Sequence, residues 1–99
     1  MPIAIIKDLL ATATKPVARL YFKNDSFKII FIGFNTGMIL AQHTAPTHIK
    51  LLVLEGKVVY IQEGIHTTLE QFQSIDIQPH IVHEVQALEN SLCMLTQGH

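Results

Sequence analysis

From Val17 onward, short apolar stretches alternate with polar turn signals at intervals of about 8–12 residues. The turn signals are the segments KNDS, NTG, TAPTH, EGK, EGIH and EN. Residues 1–16 differ, because only this part contains a helix-like stretch, IIKDLLATA, which a strand would also accommodate. About eight strands after a short irregular or helical N-terminal segment predict an all-β sandwich or barrel.

Alternation of apolar and polar residues indicates which side chains point inward. In SIDIQP (residues 74–79) the isoleucines and the proline alternate with polar residues, as in a strand with one wet face. In HEVQAL (residues 83–88) His83 shares a face with Val85 and Ala87. His83 is therefore expected to point into the barrel.

Two other segments, FKIIFIGF and LLVLEGKVVYI, are apolar on both faces. Such strands are buried on both sides, so the outer side of a single barrel needs a cover. Charged residues make up 15% of the chain, well below the usual quarter. A second subunit would cover the outer face, and the sequence predicts a homodimer.

Length and composition limit the remaining possibilities. Ninety-nine residues predict one domain over residues 1–99. A net charge of -1 with scattered Lys and Arg disfavours nucleic acid as a partner. No apolar run reaches the ~18 residues that span a membrane, and the N-terminus is a poor signal peptide. Since the single Cys93 suits a reducing compartment, we expect a soluble cytoplasmic protein.

The segment MILAQH supplies a second candidate histidine. His43 follows Ile39 and Ala41 on an alternating stretch, which predicts an inward position. His43 and His83, far apart in sequence, are thus predicted to meet in one pocket. Each is either a metal ligand or acid–base group, or a histidine at the rim of the core.

These spacings resemble those of the small single-domain cupins. Their first motif is a glycine, five residues, H-x-H, three or four residues, a glutamate, six residues and a glycine. Here His43 follows Gly37 after five residues, and VLEG ends on the closing glycine, Gly56. The second motif is a glycine, five residues, P-x-G, two residues and a histidine. Aligned here without gaps, it ends on His83. The resemblance covers about residues 25–97. It implies a double-stranded β-helix, the jelly-roll barrel of conserved barrel domains, and a homodimer.

The resemblance also implies a divalent metal held by three histidines and the glutamate. His43 and His83 keep two of these positions, whereas the second histidine falls on Ala45 and the glutamate on Ile49. The family's metal and its oxygen-dependent or isomerase chemistry therefore do not carry over directly.

The second motif departs as well. Its first glycine falls on Phe72, its proline on Gln78 and its second glycine on His80, while Pro79 is one place late. His80, in the turn before the last motif strand, either lines the barrel mouth or belongs to a surface turn.

His48 has two interpretations. Alternation with Ile49 turns it outward to solvent, but it follows Pro46 in a loop where alternation is not yet enforced. If it turned into the mouth, it would complete a three-histidine site with His43 and His83, suited to Zn, Fe, Mn or Ni.

Three functional hypotheses follow. The leading one is a small molecule bound in an apolar barrel pocket, with His43 and His83 as polar anchors. The second is a metal-dependent oxygenase or isomerase that uses His43, His48 and His83, and the third is a structural or partner-binding module with a vestigial pocket. No carboxylate pair is placed for acid–base catalysis, so enzymatic activity is left open. The pocket is expected to be lined by Ala45, Ile49, Leu51, His80 and Val85.

Overall fold

The computed structural model describes residues 2–98, apart from the side chain of His43. Within this range, one helix precedes nine strands, which confirms an all-β protein with a short helical N-terminal segment. The elements are α1 (Pro2–Leu10), β1 (Val17–Lys23), β2 (Phe27–Phe34), β3 (Ile39–His43), β4 (Ile49–Glu55), β5 (Lys57–Gln62), β6 (Ile65–Glu70), β7 (Ser74–Ile77), β8 (His83–Ala87) and β9 (Ser91–Gly98).

The strands form two antiparallel sheets. One sheet has the order β1-β2-β9-β4-β7 and the other β3-β8-β5-β6. Apolar side chains from both sheets pack in one buried cluster, in which Phe34, Val53, Tyr60 and Val85 are each at most 1% exposed. The two sheets therefore enclose a single core, as in a jelly-roll barrel.

The alternation predicted for the later strands is confirmed. In β8, His83, Val85 and Ala87 are each at most 3% exposed, and the residues between them are only half-buried. In β7, Ile77 is buried whereas Asp76 is exposed. Because these strands are regular where they pair with β5 and β4, a period of two identifies their inner faces.

Strand β3 departs from the predicted alternation. Leu40 lies opposite Val85, but His43 lies opposite His83, so β3 contains one extra residue between the two pairs. This β-bulge reverses the faces. The inward positions predicted for Ile39 and Ala41 are wrong, since both are exposed and Leu40 packs against the core. After the bulge, His43 returns to a position directly opposite His83.

Helix α1 covers part of the outer face of β2. Ile6 is completely buried and packs with Phe31 and Leu92 in a second apolar cluster. A Cβ at Gly33 would overlap Ile6 Cγ2 and lie 2.9 Å from Leu10 Cδ1, so glycine permits this close approach. The outer face of this part of FKIIFIGF is therefore covered by the chain's own helix, which corrects the expectation that a second subunit covers it.

Apolar surface remains on β1, at the edge of the larger sheet. Six of its seven residues are exposed, on both faces. Leu20, Tyr21 and Phe22 are 55%, 49% and 46% exposed, although Tyr21 contacts the ring of Phe31 at a centroid distance of 4.9 Å. Among residues 2–98, no helix combines the length and apolar character needed to cross a bilayer.

Candidate functional site

His83 begins β8 at one end of the barrel, which we call the His83 end. The residue is 3% exposed, and its Nδ1 lies 2.9 Å from the carbonyl oxygen of Ile81. Because a carbonyl oxygen can only accept, Nδ1 carries the proton and donates it. In the neutral ring, Nε2 is then the nitrogen without a proton.

Two polar side chains of β5 lie beside His83. The ring centroid of Tyr60 is 5.8 Å from that of His83, and Tyr60 is 1% exposed. The Tyr60 hydroxyl donates to Gln62 Oε1 at 2.7 Å, and Gln62 lies directly opposite His83 in the sheet register. Burial raises the pKa of Tyr60, so its hydroxyl remains a donor at neutral pH. Tyr60, Gln62 and His83 form a polar triad at this end of the barrel.

The sequence analysis missed Tyr60 and Gln62. The segment VVYIQ is apolar enough to indicate only a strand buried on both sides. A signal was nevertheless present, because residues two apart in a strand share a face. Tyr60 and Gln62 are such a pair, and the register of β5 against β8 places both on the face of His83.

Two clefts adjoin this triad. The first, which we call the Tyr60 cleft, has a volume of about 160 Å³. It is lined by Tyr60, Gln62, Ile65, Thr67 and Ile75. It therefore combines the polar atoms of β5 with isoleucine and threonine side chains from β6 and β7.

The second cleft, which we call the His80 cleft, has a volume of about 380 Å³ and lies between the β5–β6 and β7–β8 connections. His80 and His83 both line it, together with Gln42, Glu63 and Glu84. The structure thus brings His80 and His83 to the same cleft, although Glu84 points away from the core.

His80 holds this part of the barrel together through its backbone. Its N–H donates to the Ala45 carbonyl oxygen at 2.8 Å, which links the β7–β8 loop to the β3–β4 loop. The φ angle of His80 is +63°, in the left-handed region. Histidine adopts this region more readily than most side chains. The backbone at the position where the motif has its second glycine therefore lies in a region that favours glycine, although a histidine occupies it.

The four apolar residues expected on the pocket wall lie in the packed core. Ala45, Ile49, Leu51 and Val85 are 8%, 5%, 2% and 1% exposed and belong to the same buried cluster as Tyr60. They line neither the Tyr60 cleft nor the His80 cleft. The open space near His83 lies instead at the barrel end, because large side chains fill the interior.

Of the two positions considered for His48, the structure shows the one that faces solvent. Its side chain is 49% exposed, and Nε2 lies 3.3 Å from Asp76 Oδ1. Lys50 Nζ lies 3.8 Å from the same oxygen. Lys50 and Asp76 are register partners on the outer face of β4 and β7. The structure places His48 in a surface charge cluster rather than beside His83.

The donor set does not fit the four-ligand metal that the resemblance implies. Positions 45 and 49 carry buried alanine and isoleucine, which have no donor atoms. Among the described side chains, no group of three or more His, Cys, Asp or Glu could hold a metal ion. The side chain of His43 lies outside the described part of the structure, so its predicted meeting with the His83 ring stays a prediction supported by the register.

Comparison with solved structures identifies the fold. An RmlC-like cupin from Desulfovibrio desulfuricans is 21% identical over 85% of this chain and 82% of its own, with a TM-score of 0.79. A conserved Klebsiella pneumoniae protein with a double-stranded β-helix domain is 17% identical, with coverage of 94% and 85% and a TM-score of 0.80. A cupin 2 conserved barrel domain protein from Leptotrichia buccalis is 22% identical over 89% of this chain and 43% of its own, with a TM-score of 0.80.

The chain therefore has the cupin fold, a double-stranded β-helix of the small conserved-barrel type. No protein-family model and no curated protein sequence matches it significantly. Function must accordingly be argued from the residues of this chain, because the fold hosts many unrelated activities.

Proposed function

We propose that this chain binds a small organic molecule at the His83 end of its barrel. The observation that carries the proposal is the polar triad of Tyr60, Gln62 and His83, in which Tyr60 and His83 are buried and Gln62 lines the Tyr60 cleft beside two isoleucines. Buried polar side chains cost stability unless they are hydrogen-bonded. Their concentration at one end of a barrel with an apolar interior is typical of a ligand site.

The volume and donor set define the ligand. A volume of about 160 Å³ corresponds to roughly five water-sized groups. Gln62 Oε1 accepts the Tyr60 hydroxyl hydrogen, so the Gln62 amide group offers donors to a ligand in this cleft, while the His83 ring lies beside that of Tyr60. A short molecule with an acceptor oxygen, such as a small amide, diol or hydroxy acid, matches this donor group. Its alkyl part would contact Ile65 and Ile75.

His43 is the second polar anchor of the proposed site. Its position opposite His83 in β3 supports this role, since directly opposed residues of antiparallel strands share a face. Ala45, Ile49, Leu51 and Val85 act as the core on which the site rests rather than as its walls.

The test is a titration of isotope-labelled, tag-free protein with acetamide, 1,2-propanediol and lactate, followed by amide chemical shifts. Binding should perturb β5, β6 and the start of β8. Tyr60→Phe keeps the ring and removes the hydroxyl group, and His83→Leu replaces the imidazole by an apolar side chain of similar volume. Each should weaken binding about tenfold, the effect of losing one well-formed polar contact. His66→Ala is the matched control, because His66 is exposed on β6. Equal affinities in all four proteins would contradict the proposal.

A metal-dependent function is the rival hypothesis, and one observation favours it. A histidine whose Nδ1–H donates to a backbone carbonyl is oriented as metal-binding histidines are, and His43 lies opposite it. The residues at positions 45 and 49 and the outward His48 weaken this rival.

Elemental analysis separates the two hypotheses. Near-stoichiometric metal in tag-free protein, lost in both His43→Ala and His83→Ala, would establish the rival. Absence of metal after reconstitution with iron, zinc, manganese and nickel would exclude it. A protein that binds neither metal nor the small molecules would instead fit the third hypothesis, a structural module with a vestigial pocket.

We also propose that the protein is a homodimer that pairs through β1. The support is the exposed edge strand with its apolar Leu20, Tyr21 and Phe22, which α1 leaves uncovered. Light scattering at micromolar concentration should give close to twice the chain mass of 11.1 kDa. Leu20→Glu should reduce the mass to that of one chain. Ile65→Glu, at an exposed position of β6, should leave the mass at that of two chains. A parent mass near 11.1 kDa would contradict the dimer.

A further inference from the structure

A third cleft of about 450 Å³ lies at the opposite end of the barrel, between α1 and the strands it packs on. We call it the α1 cleft. His83 begins β8, and Ala87 ends it beside Val58 near the β4–β5 turn. Glu55, Asn90 and Ser91, which line the α1 cleft, belong to that far end. The α1 cleft is therefore separate from the proposed His83 site.

The floor of the α1 cleft is apolar and well packed. Ile6, Phe34 and Leu92 line it and are 0%, 1% and 3% exposed. Because Gly33 has no side chain, Ile6 and Leu10 pack directly against β2. This contact fixes the distance between the sheet and α1, which forms one wall of the cleft. A volume of this size with a rigid apolar floor is in the range of small-molecule sites.

Two asparagine amides at the cleft have orientations that are fixed by their partners. Asn35 Nδ2 donates to the Leu10 carbonyl oxygen at 2.7 Å, so Asn35 keeps an acceptor oxygen. Asn90 Oδ1 accepts from the Thr36 N–H at 2.8 Å and from the Thr36 hydroxyl at 3.1 Å, so Asn90 keeps donor hydrogens on Nδ2. The cleft thus offers one amide acceptor and one amide donor.

The charges at the cleft neutralise each other. Lys7 Nζ from α1 lies 3.1 Å from both carboxylate oxygens of Glu55 at the end of β4. A charged ligand would have to compete with this pair or rest its charge on the apolar floor, which is costly. An uncharged polar group meets neither difficulty.

We propose that the α1 cleft binds uncharged amphipathic molecules that carry an amide head group and a short alkyl chain. The alkyl chain lies against Leu10 and Ala11, the apolar lining residues that keep exposed surface, and the amide meets the complementary donor and acceptor of Asn90 and Asn35. This site does not depend on the proposed function of the His83 end.

Chemical-shift titration with hexanamide tests the proposal, with hexanoate and hexylamine as charged comparators of equal chain length. Hexanamide should perturb the amides of Leu10, Gly33 and Leu92, and both comparators should bind about tenfold more weakly. Ala11→Trp should abolish the hexanamide response by filling the cleft. Ala4→Trp, the same substitution at an exposed α1 residue outside the cleft, should retain it.

Two further variants test the charge argument without altering the floor. Lys7→Met leaves Glu55 unpaired and should shift the preference toward hexylamine, whereas Glu55→Gln should shift it toward hexanoate. Hexanamide perturbations that persist in Ala11→Trp, or that lie only around His83, would overturn the site. Preferences unchanged in both charge variants would overturn the assignment of an uncharged ligand.

Discussion

At the α1 end of the barrel, apolar side chains of a helix and two strands pack together, whereas at the His83 end two polar side chains, Tyr60 and His83, are buried. Ile6, Phe31 and Leu92 exclude water at the first end. Tyr60 and His83 are almost equally buried at the second. Apolar burial stabilises the fold, but burial of polar groups contributes little net stability. The cluster of Ile6, Phe31 and Leu92 should therefore contribute more to stability than the polar triad at the His83 end.

The largest effect should come from removing the centre of the α1 cluster. Ile6→Ala should lower the free energy of unfolding by about 3 kcal/mol, because it removes buried methyl groups and leaves a cavity. Ile5→Ala is the matched control, since Ile5 is 50% exposed on the same helix. Urea unfolding should show a change within about 0.5 kcal/mol for the control. Equal losses at the two positions would mean that α1 is not held by this cluster.

The sequence predicted the regular strands of the barrel well, for a physical reason. In β7 and β8 each residue on one strand faces one residue on its partner, so a period of two carries through to burial. This placed His83 correctly inside. The period of two failed in β3, because a bulge lies before His43. The segment MILAQH contains no glycine or proline that would indicate this bulge. His43 nevertheless lies directly opposite His83 in the register, so the predicted meeting of the two side chains stays a prediction.

The candidate site was less predictable than the fold. Whether a second subunit or α1 covers the outside of β2 depends on how the helix docks, which local periodicity does not encode. Likewise, Tyr60 and Gln62 become candidates only when the register places them beside His83. The filled interior around Leu51 follows from packing of both sheets, which alternation along one strand does not reveal.

Alkaline unfolding tests the burial of Cys93, which is completely buried in the core between the two sheets. Burial raises the pKa of Cys93 from 9.0 to about 12. Between these values the unfolded thiol loses its proton while the folded thiol keeps it, so the unfolded state binds fewer protons. Stability should therefore fall as pH rises above 9, by up to about 1.4 kcal/mol per pH unit.

Cys93→Val should remove most of this slope, because valine has no proton to lose. Urea unfolding of both proteins between pH 8 and pH 11 measures the difference, and any part retained in the variant is assigned to other groups, including Tyr60, whose pKa burial also raises. Identical slopes would contradict a raised pKa of the Cys93 thiol in the folded protein.

At the His83 end, Tyr60→Phe should have a smaller effect on stability. The substitution removes the hydrogen bond to Gln62 but keeps the buried ring, so a loss of about 1 kcal/mol is expected. Thermal unfolding measures it, with Tyr21→Phe as the matched control because Tyr21 is 49% exposed. A loss as large as that of Ile6→Ala would remove the contrast between the two ends.

The smallest effect should come from two backbone positions, one at each end. Phe72, in the β6–β7 turn, has a φ of +68° and is 73% exposed, whereas His80 has a φ of +63° at the His83 end. The left-handed region costs a residue with an ordinary side chain about 1–2 kcal/mol. Glycine relieves this strain, but its greater conformational freedom in the unfolded state offsets about 0.5–1 kcal/mol of the gain. Phe72→Gly should therefore stabilise the protein by about 0.5 kcal/mol.

His80→Gly should change stability less, since histidine tolerates this conformation better than phenylalanine. Leu88→Gly provides the control: Leu88 is 46% exposed and its φ is not positive, so glycine should destabilise there. Urea midpoints of the three variants give the ranking. If Phe72→Gly destabilised the protein as Leu88→Gly does, contacts of the Phe72 ring would stabilise the protein by more than its backbone strain costs. The Phe72 side chain would then stabilise the β6–β7 turn.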